Sequence, residues 1–217
     1  MDKDCKLEIL YLDSVDSTHT YLKQYINKYG YKHPLAVFSN CQLNGIGSRD
    51  NSWDGAKGNF YLSFVIDRLY LPSDIPLQSL SIYFSYILKD ILTQCDSKVW
   101  LKWPNDFYID NKKIGGTITN IIQDKIYCGI GINLLFIDNQ YGYLDIAINP
   151  KDILEKYFAR LSKKILWKHI FSKYLIEFEL SKSYSATIDG KKISLADSVL
   201  NNDGSLIINN KKVFSLR

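Results

Sequence analysis

Two adjacent lysines that precede a pair of glycines have the clearest potential for chemistry. Residues 102–117 read KWPNDFYIDNKKIGGT, with Lys113 two positions before Gly115 and three before Gly116. On a strand that begins at Lys112, one lysine points inward and the other outward, because side chains alternate between the faces. An inward lysine is costly to bury unless an anion meets it, and the glycines leave room for such a ligand. The alternative is a turn lysine followed by a glycine that serves packing.

A second glycine motif, GIGIN at residues 129–133, has related properties. Gly129 and Gly131 occupy alternate positions, so they would clear one face of a strand. Asn133 offers both donors and an acceptor, which suit the edge of an adenine base. The alternative is a strand that packs closely against a helix.

A polar loop at residues 42–53, QLNGIGSRDNSW, could bind an anion. Gly45 and Gly47 let backbone N–H groups approach a ligand, Arg49 adds a guanidinium, and Trp53 could stack on a planar base. The alternatives are a flexible connection and a core aromatic side chain. An anion loop, an inward lysine, glycine-lined faces and an asparagine together predict a site that activates a carboxylate with ATP.

The elements that must position these residues follow an α+β pattern. Strands are predicted at residues 9–15, 35–39, 60–66, 98–103, 107–109, 113–122 and 125–133, and helices at 19–29, from 76 to 91, and over 150–181. Tight turns between the middle strands predict an antiparallel meander. From residue 184, short strands and turns predict a small barrel-like β module. The expected fold class is α+β, with a mixed or antiparallel sheet and flanking helices.

Composition and charge argue against several classes of protein. The 217 residues are 46% hydrophobic, enough for one sizeable core, and the net charge of +4 does not suggest a dedicated DNA binder. The four cysteines form no Cys-x-x-Cys pair and the three histidines show no zinc-ligand spacing, so no protein metal site is predicted. No signal peptide and no apolar run of membrane length is found. A cytoplasmic protein without membrane contact is expected.

The combined motifs resemble those of the biotin protein ligases over nearly the whole chain. They are KWPND at 102–106 with Lys113 and Gly116 after it, GIGIN at 129–133, and DST at 16–18. The resemblance implies the class II synthetase-like fold of biotin and lipoate ligases, with a catalytic domain at residues 1–182 and a small SH3-like β-barrel at 183–217. It implies an enzyme that makes biotinyl-5′-adenylate from biotin and MgATP. The biotin then passes to a lysine of the biotin carboxyl carrier protein of acetyl-CoA carboxylase.

The resemblance also implies roles for individual residues. Lys113 would lie between the biotin carboxylate and the α-phosphate, and Arg49 would hold the phosphate; both would be catalytic. The residues implied for biotin binding are Ser17, Thr18, His19, Gln42, Gly45, Gly47, Lys113, Gly116, Gly129 and Gly131. Those implied for ATP or adenylate are Arg49, Trp53, Asn105, Asp106, Lys113 and Asn133.

The sequence departs from the family pattern in two places. His19 replaces the asparagine that usually follows Ser-Thr, which affects a contact on the biotin side. The loop usually reads Gly-Arg-Gly-Arg-x-Gly-Arg-x-Trp, whereas here Arg49 is its only cation, so backbone N–H groups would supply the other phosphate contacts. Some members carry an N-terminal helix-turn-helix, but DST begins here at Asp16. A monofunctional ligase without DNA binding is therefore expected.

Two other functions and the oligomeric state stay open. A lipoate–protein ligase shares the fold and the adenylate chemistry, although KWPND and GIGIN disfavour it. A non-catalytic, biotin-responsive regulator would not need Lys113 to bring two anions together. A homodimer is compatible with the sequence, which does not determine the assembly.

Overall fold

The fold is organised around a seven-stranded sheet. A computed structural model of the chain describes residues 7–47, 52–53, 57–136 and 141–214. The strands up to the end of the meander are β1 (Glu8–Leu12), β2 (Leu35–Ser39), β3 (Gly45–Ile46), β4 (Ser52–Trp53), β5 (Phe60–Asp67), β6 (Trp100–Lys102), β7 (Asp106–Ile109), β8 (Lys112–Ile122) and β9 (Lys125–Ile132). The helices are α1 (Thr18–Tyr29), α2 (Leu80–Thr93), α3 (Pro150–Leu161) and α4 (Trp167–Ser181).

The sheet is mixed, with strand order β1-β2-β5-β9-β8-β7-β6. β1 and β2 are parallel, because α1 carries the chain back between them. All the other neighbours in this sheet are antiparallel. The mixed sheet with flanking helices confirms the predicted fold class. The strand predicted at 9–15 ends earlier, at Leu12, and Val15 forms only an isolated bridge to Gln42.

The two faces of the sheet pack against different helices. On β2, Leu35 and Val37 pack with Leu22 of α1, whereas Ala36 and Phe38 belong to the large core cluster on the opposite face. The division follows from the alternation of side chains along a strand. Helices α2, α3 and α4 all contribute to the large cluster. One face therefore carries α1, and the other carries most of the hydrophobic core.

The helical region predicted at 150–181 is two helices. α3 ends at Leu161 and α4 begins at Trp167. Between them Lys164 has a φ of +45°, which a continuing helix cannot accommodate. The break turns the chain so that Tyr157 of α3 and Tyr174 of α4 both enter the core. None of the described helices is long and apolar enough to cross a membrane.

The end of the described chain is β structure, as predicted. Its strands are β10 (Ser185–Ile188), β11 (Lys191–Ser194), β12 (Val199–Leu200), β13 (Leu206–Ile208) and β14 (Lys211–Val213). They form a two-stranded and a three-stranded antiparallel sheet, and up to residue 214 these do not close into a barrel. Residues 215–217, at the end of the predicted β module, lie outside the described residues.

This C-terminal segment shares the core of the preceding chain. Leu195 and Leu206 belong to the same buried cluster as α2. Two indoles add hydrogen bonds across the boundary: Trp103 Nε1 donates to the Gly204 carbonyl at 2.9 Å, and Trp167 Nε1 to that of Asn202 at 2.7 Å. The division at 182/183 stays a prediction, but residues on both sides of it pack as one core.

Candidate active site

A cavity of about 410 Å³ lies on the α1 face of the sheet. Its walls come from the start of α1, the β3–β4 region, and the glycine-bearing parts of β8 and β9. The structure brings twelve of the predicted site residues to it: Ser17, Thr18, His19, Gln42, Gly47, Trp53, Asn105, Asp106, Lys113, Gly116, Gly129 and Gly131. Motifs far apart in sequence thus line one cavity.

A β-bulge puts Lys113 on the cavity side. Tyr108 pairs with Lys113 and Phe107 pairs with Gly115, so Ile114 is an extra residue in β8. Ile114 is buried in the core, while Lys113 and Gly116 both line the cavity. In a regular strand, two residues three positions apart would lie on opposite faces. The inward lysine is therefore Lys113, and its neighbour Lys112 is exposed.

Charges converge on Asp106, which lies opposite Gly116 on the neighbouring strand. Lys113 Nζ lies 2.6 Å from Asp106 Oδ1, and Lys102 Nζ lies 3.8 Å from Oδ2. The ammonium of Lys113 is also 5.7 Å from the ring centre of Trp53. About a third of the Lys113 side chain stays exposed. The carboxylate thus holds a cation at the cavity, where an anionic ligand could meet it.

The adjacent glycines of β8 serve different purposes. A Cβ on Gly116 would come no closer than 3.5 Å to any neighbour, so this glycine leaves the cavity face open. A Cβ on Gly115 would lie 2.5 Å from the Gly131 carbonyl oxygen, so this glycine permits the close approach of β9. Gly116 therefore leaves open space in the cavity, whereas Gly115 allows two strands to pack closely.

Asn105 fixes β8 beside the bulge. Its Nδ2 donates to the carbonyl of Thr117, and its own carbonyl accepts from the Thr117 N–H at 3.0 Å. The Thr117 hydroxyl in turn bonds Ser85 of α2 at 2.8 Å. The amide of Asn105 therefore supports the cavity wall, next to Asp106.

The hydroxyls at the start of α1 belong to a buried polar network. Ser17 caps the helix by accepting from the Thr20 N–H at 3.3 Å. The Thr18 N–H donates to Gln42 Oε1 at 2.9 Å, and Thr18 Oγ1 lies 2.9 Å from Ser63 Oγ on β5. This network holds the end of α1 on the sheet and fixes the orientation of Thr18.

His19 enters the cavity from the same end of α1. Its side chain is 5% exposed, and its Nε2 lies 3.1 Å from Asn120 Oδ1 on β8. Burial chiefly, and the nearby charge of Lys23, lower the pKa of His19 to about 4, although the Asn120 hydrogen bond opposes this. The imidazole is therefore neutral at neutral pH.

Trp53 covers one of the cleared glycines. Its indole lies 3.4 Å from the position that a Cβ on Gly131 would occupy, so the ring packs directly over this glycine. Gly45 plays a similar part, since a Cβ on it would lie 2.3 Å from Gln42 Nε2 and 2.4 Å from the Trp53 carbonyl oxygen. Gly45 thus lies behind the wall and permits the packing of residues that line the cavity.

The two remaining predicted residues are Asn133 and Arg49. Asn133 is buried in the wall, where its Nδ2 donates to the Gly142 carbonyl at 3.1 Å. Its role in binding adenine stays a prediction. Arg49 lies outside the described residues, so its role as the phosphate cation also stays a prediction.

Sequence reasoning missed several lining residues. Tyr61 and Ser63 face the cavity from β5, where the sequence run FYLSFVI at 60–66 predicts a buried strand without a polar face. Two hydroxyls at alternate positions of an apolar run would have indicated a polar face. The other lining residues not predicted are Ile46, Thr117, Ile118, Ile130 and Tyr141. Tyr141 lies beyond the strand, and no local pattern indicates it.

Known proteins resemble this chain in sequence. The model of the biotin/lipoate A/B protein ligase family matches residues 11–134. Biotin–protein ligase 2 of Arabidopsis thaliana is 32% identical over 115 residues, covering 47% of this chain and 32% of the plant protein. The bifunctional ligase/repressor BirA of Escherichia coli is 24% identical over 213 residues, covering 94% of this chain and 64% of that protein. The chain thus spans about a third of the length of the plant protein and just under two thirds of the length of BirA.

Solved structures resemble the whole fold. The biotin acetyl coenzyme A carboxylase synthetase of Helicobacter pylori, solved with bound biotinylated ATP, is 34% identical with a TM-score of 0.91. The match covers 96% of this chain and 100% of that one. The biotin protein ligase of Aquifex aeolicus, solved with biotin and ATP, has a TM-score of 0.74 at 21% identity, over 97% of this chain and 96% of that one. At 21% identity, the likeness to the Aquifex aeolicus protein shows a shared fold.

Proposed function

The chain belongs to the biotin/lipoate A/B protein ligase family, and we propose that it activates biotin with ATP and transfers it to a lysine of a carrier protein. The observation that carries the proposal is the position of Lys113. Its ammonium lies at a cavity that has hydroxyls and an imidazole at one end and an indole over a glycine at the other. Such a cavity suits a small polar ring, a carboxylate and a base.

In the first step, Lys113 would reduce the repulsion between two anions. A carboxylate oxygen of biotin attacks the α-phosphorus of ATP, the bond to the bridging oxygen breaks, and pyrophosphate leaves. Negative charge develops on the α-phosphate oxygens in the transition state, and a positioned ammonium stabilises it. Asp106 keeps Lys113 in place, and Gly116 leaves room for the reacting groups.

In the second step, the neutral amine of the carrier lysine attacks the acyl carbon. The bond between that carbon and the phosphate oxygen breaks, AMP leaves, and the amine loses its proton. The adenylate makes this possible because AMP is a far better leaving group than the oxygen of a free carboxylate. The enzyme's contribution is mainly position and charge stabilisation.

The residues around Lys113 would bind the two substrates. Ser17, Thr18 and Gln42 would bind the biotin ring, and Trp53 would cover the adenine. Mg²⁺ would arrive with the ATP phosphates and neutralise part of their charge. In the described part of the cavity, Asp106 is the only carboxylate that could face such an ion, and one of its oxygens already pairs with Lys113.

The wider predictions belong to the same proposal. The carrier would be the biotin carboxyl carrier protein of acetyl-CoA carboxylase, the protein would act in the cytoplasm, and it would bind no DNA. The Helicobacter pylori relative, a biotin acetyl coenzyme A carboxylase synthetase, supports the choice of carrier. A homodimer stays open.

Purified protein mixed with MgATP and either biotin or lipoate tests the proposal. Pyrophosphate release with biotin, followed by labelling of an added carrier domain, is the expected result. Release with lipoate alone would indicate the lipoate ligase. Biotin binding without pyrophosphate release would indicate a regulator.

A further inference from the structure

The carbonyl groups of the β-bulge accept hydrogen bonds from residues outside the named strands. The N–H of Asn133, just past the end of β9, donates to the Ile114 carbonyl at 2.7 Å. The N–H of Gly142 donates to the Lys113 carbonyl at 2.9 Å. A bulge interrupts the regular ladder, so these two bonds fix the backbone there. The direction of the Lys113 side chain depends on that backbone.

The side chain of Asn133 holds residues 142–144 beside the bulge. Its Nδ2 donates to the Gly142 carbonyl at 3.1 Å. Its backbone carbonyl accepts from the Leu144 N–H at 2.8 Å, and the Leu144 side chain is buried in the large core cluster. Residues 142–144 are therefore tied to Asn133 at two points, and one of these is the side-chain amide.

Gly142 packs directly on the strand that carries the bulge. A Cβ on Gly142 would lie 2.8 Å from both Lys112 Cβ and Ile114 Cγ2. Ile114 is fully buried in a close-packed core, so it has little room to move away. Only a glycine permits this approach, and any displacement of residues 142–144 would be felt at the bulge.

The amide of Asn133 is already engaged inside the protein. The side chain is 2% exposed, and its Oδ1 lies 3.5 Å from Asn59 Nδ2, while its Nδ2 bonds Gly142. Asn59 is itself fixed, because its Oδ1 accepts from the Leu134 N–H at 2.9 Å. The adenine-binding role predicted from the sequence needs both ends of the Asn133 amide at one base. In this structure both ends have protein partners.

We infer that Asn133 is a positioning residue for Lys113: its side chain holds Gly142 against the bulge, and the bulge directs the ammonium into the cavity. The inference rests on the proposed function. Asn133 would act through Lys113, without touching a substrate. A lysine that loses this direction would meet the biotin carboxylate and the α-phosphate less well, so biotin affinity and the rate of adenylate formation would both fall.

Calorimetric titration of biotin without nucleotide tests the coupling. Asn133→Leu keeps the size of the side chain but removes the amide, and should weaken biotin binding by about fivefold or more. In a Lys113→Ala background the same substitution should change the affinity by less than about twofold, because the group on which it acts is gone. Leu161→Ala, in the core on the face opposite the cavity, controls for lost stability and should bind biotin like the parent. An equal loss in both backgrounds would overturn the inference.

The kinetics of pyrophosphate release separate positioning from base recognition. Asn133→Leu should lower kcat by about tenfold or more and leave the KM for ATP within about threefold, since the loss arises in the transition state. A raised KM for ATP at an unchanged kcat, with a smaller preference for ATP over GTP, would show that Asn133 reads adenine. That result would contradict the positioning role.

Gly142→Ala is the second variant, in case Asn133→Leu does not fold. It inserts a methyl group between residues 142–144 and the bulge, and should cause the same losses in biotin affinity and kcat. Thermal melts check that each variant is folded. A folded Gly142→Ala that binds biotin and releases pyrophosphate like the parent would refute the inference. A parent that releases no pyrophosphate with biotin and MgATP would overturn the proposed function, and the inference with it.

Discussion

Lys113 Nζ and Asp106 Oδ1 lie 2.6 Å apart across two neighbouring strands, next to the open face of Gly116. The pair holds an ammonium at the cavity without burying it fully, since about a third of the lysine side chain is exposed. A cation in this state can move to an incoming anion at little cost. The carboxylate prevents it from extending into solvent in the meantime.

Lys113→Ala should reduce adenylate formation by about 100- to 1,000-fold, because the charge that stabilises the reacting phosphate is lost. The measurement is pyrophosphate release under saturating biotin and MgATP. The control is Lys112→Ala, an exposed lysine on the same strand, which should react like the parent. Equal rates for both variants would remove Lys113 from its proposed role.

Asp106→Asn should slow adenylate formation by about 10- to 100-fold, because Lys113 loses the group that positions it. The double variant with Lys113→Ala should be no slower than Lys113→Ala alone, since the two residues act as one unit. A double-mutant cycle measures this coupling. Fully additive losses would show that Asp106 acts independently of Lys113.

Ser63→Ala should weaken biotin binding by about fivefold, because Thr18 loses its hydroxyl partner at 2.9 Å and is less well oriented. Titration calorimetry with biotin provides the measurement. Ser172→Ala on the exposed side of α4 is a matched control and should bind normally. Unchanged affinity in a folded Ser63→Ala would mean that Thr18 keeps its orientation without β5.

Trp103→Phe should lower the free energy of unfolding by about 2 kcal/mol, because it leaves the buried Gly204 carbonyl without a donor. Urea denaturation measures the loss. Val199→Ala, at a 60% exposed position of the same C-terminal segment, should change stability little.

A chain truncated after residue 182 should lose its cooperative unfolding transition, because the truncation exposes part of the shared core. A truncated chain that unfolds cooperatively would show that the two segments fold separately.

The buried His19 should make stability depend on pH. Its pKa falls from 6.5 to about 4 in the folded protein, so between these values the unfolded chain binds more protons. The contribution of His19 is fully present above pH 6.5 and is lost as pH falls towards 4, by roughly 3 kcal/mol in total. Urea titrations of the parent and His19→Asn between pH 4.5 and 7 measure it. Equal pH slopes for the two would show that His19 does not contribute.

Short-range pattern was sufficient for much of the fold, whereas the resemblance to the biotin protein ligases supplied most of the predicted site residues. The apolar run FYLSFVI, the apolar residues of α2 and the turn pairs of the meander are local features, so the elements follow from them. The hypothesis that Lys113 meets an anion follows from residue type, because an inward lysine is costly to bury without an anionic partner. Those predictions needed no knowledge of distant contacts.

Tertiary structure decided which members of each motif face the cavity. The bulge at Ile114 reverses the expected alternation, so that Lys113 and Gly116 share a face and Gly115 packs against β9. The partners of Thr18 and His19 lie 45 and 101 residues away, at Ser63 and Asn120. Strand register and the position of a bulge depend on pairing between strands that are distant in sequence. They cannot be predicted from any one segment alone. The contact between His19 and Asn120 on β8 could therefore not be inferred from the residues around His19.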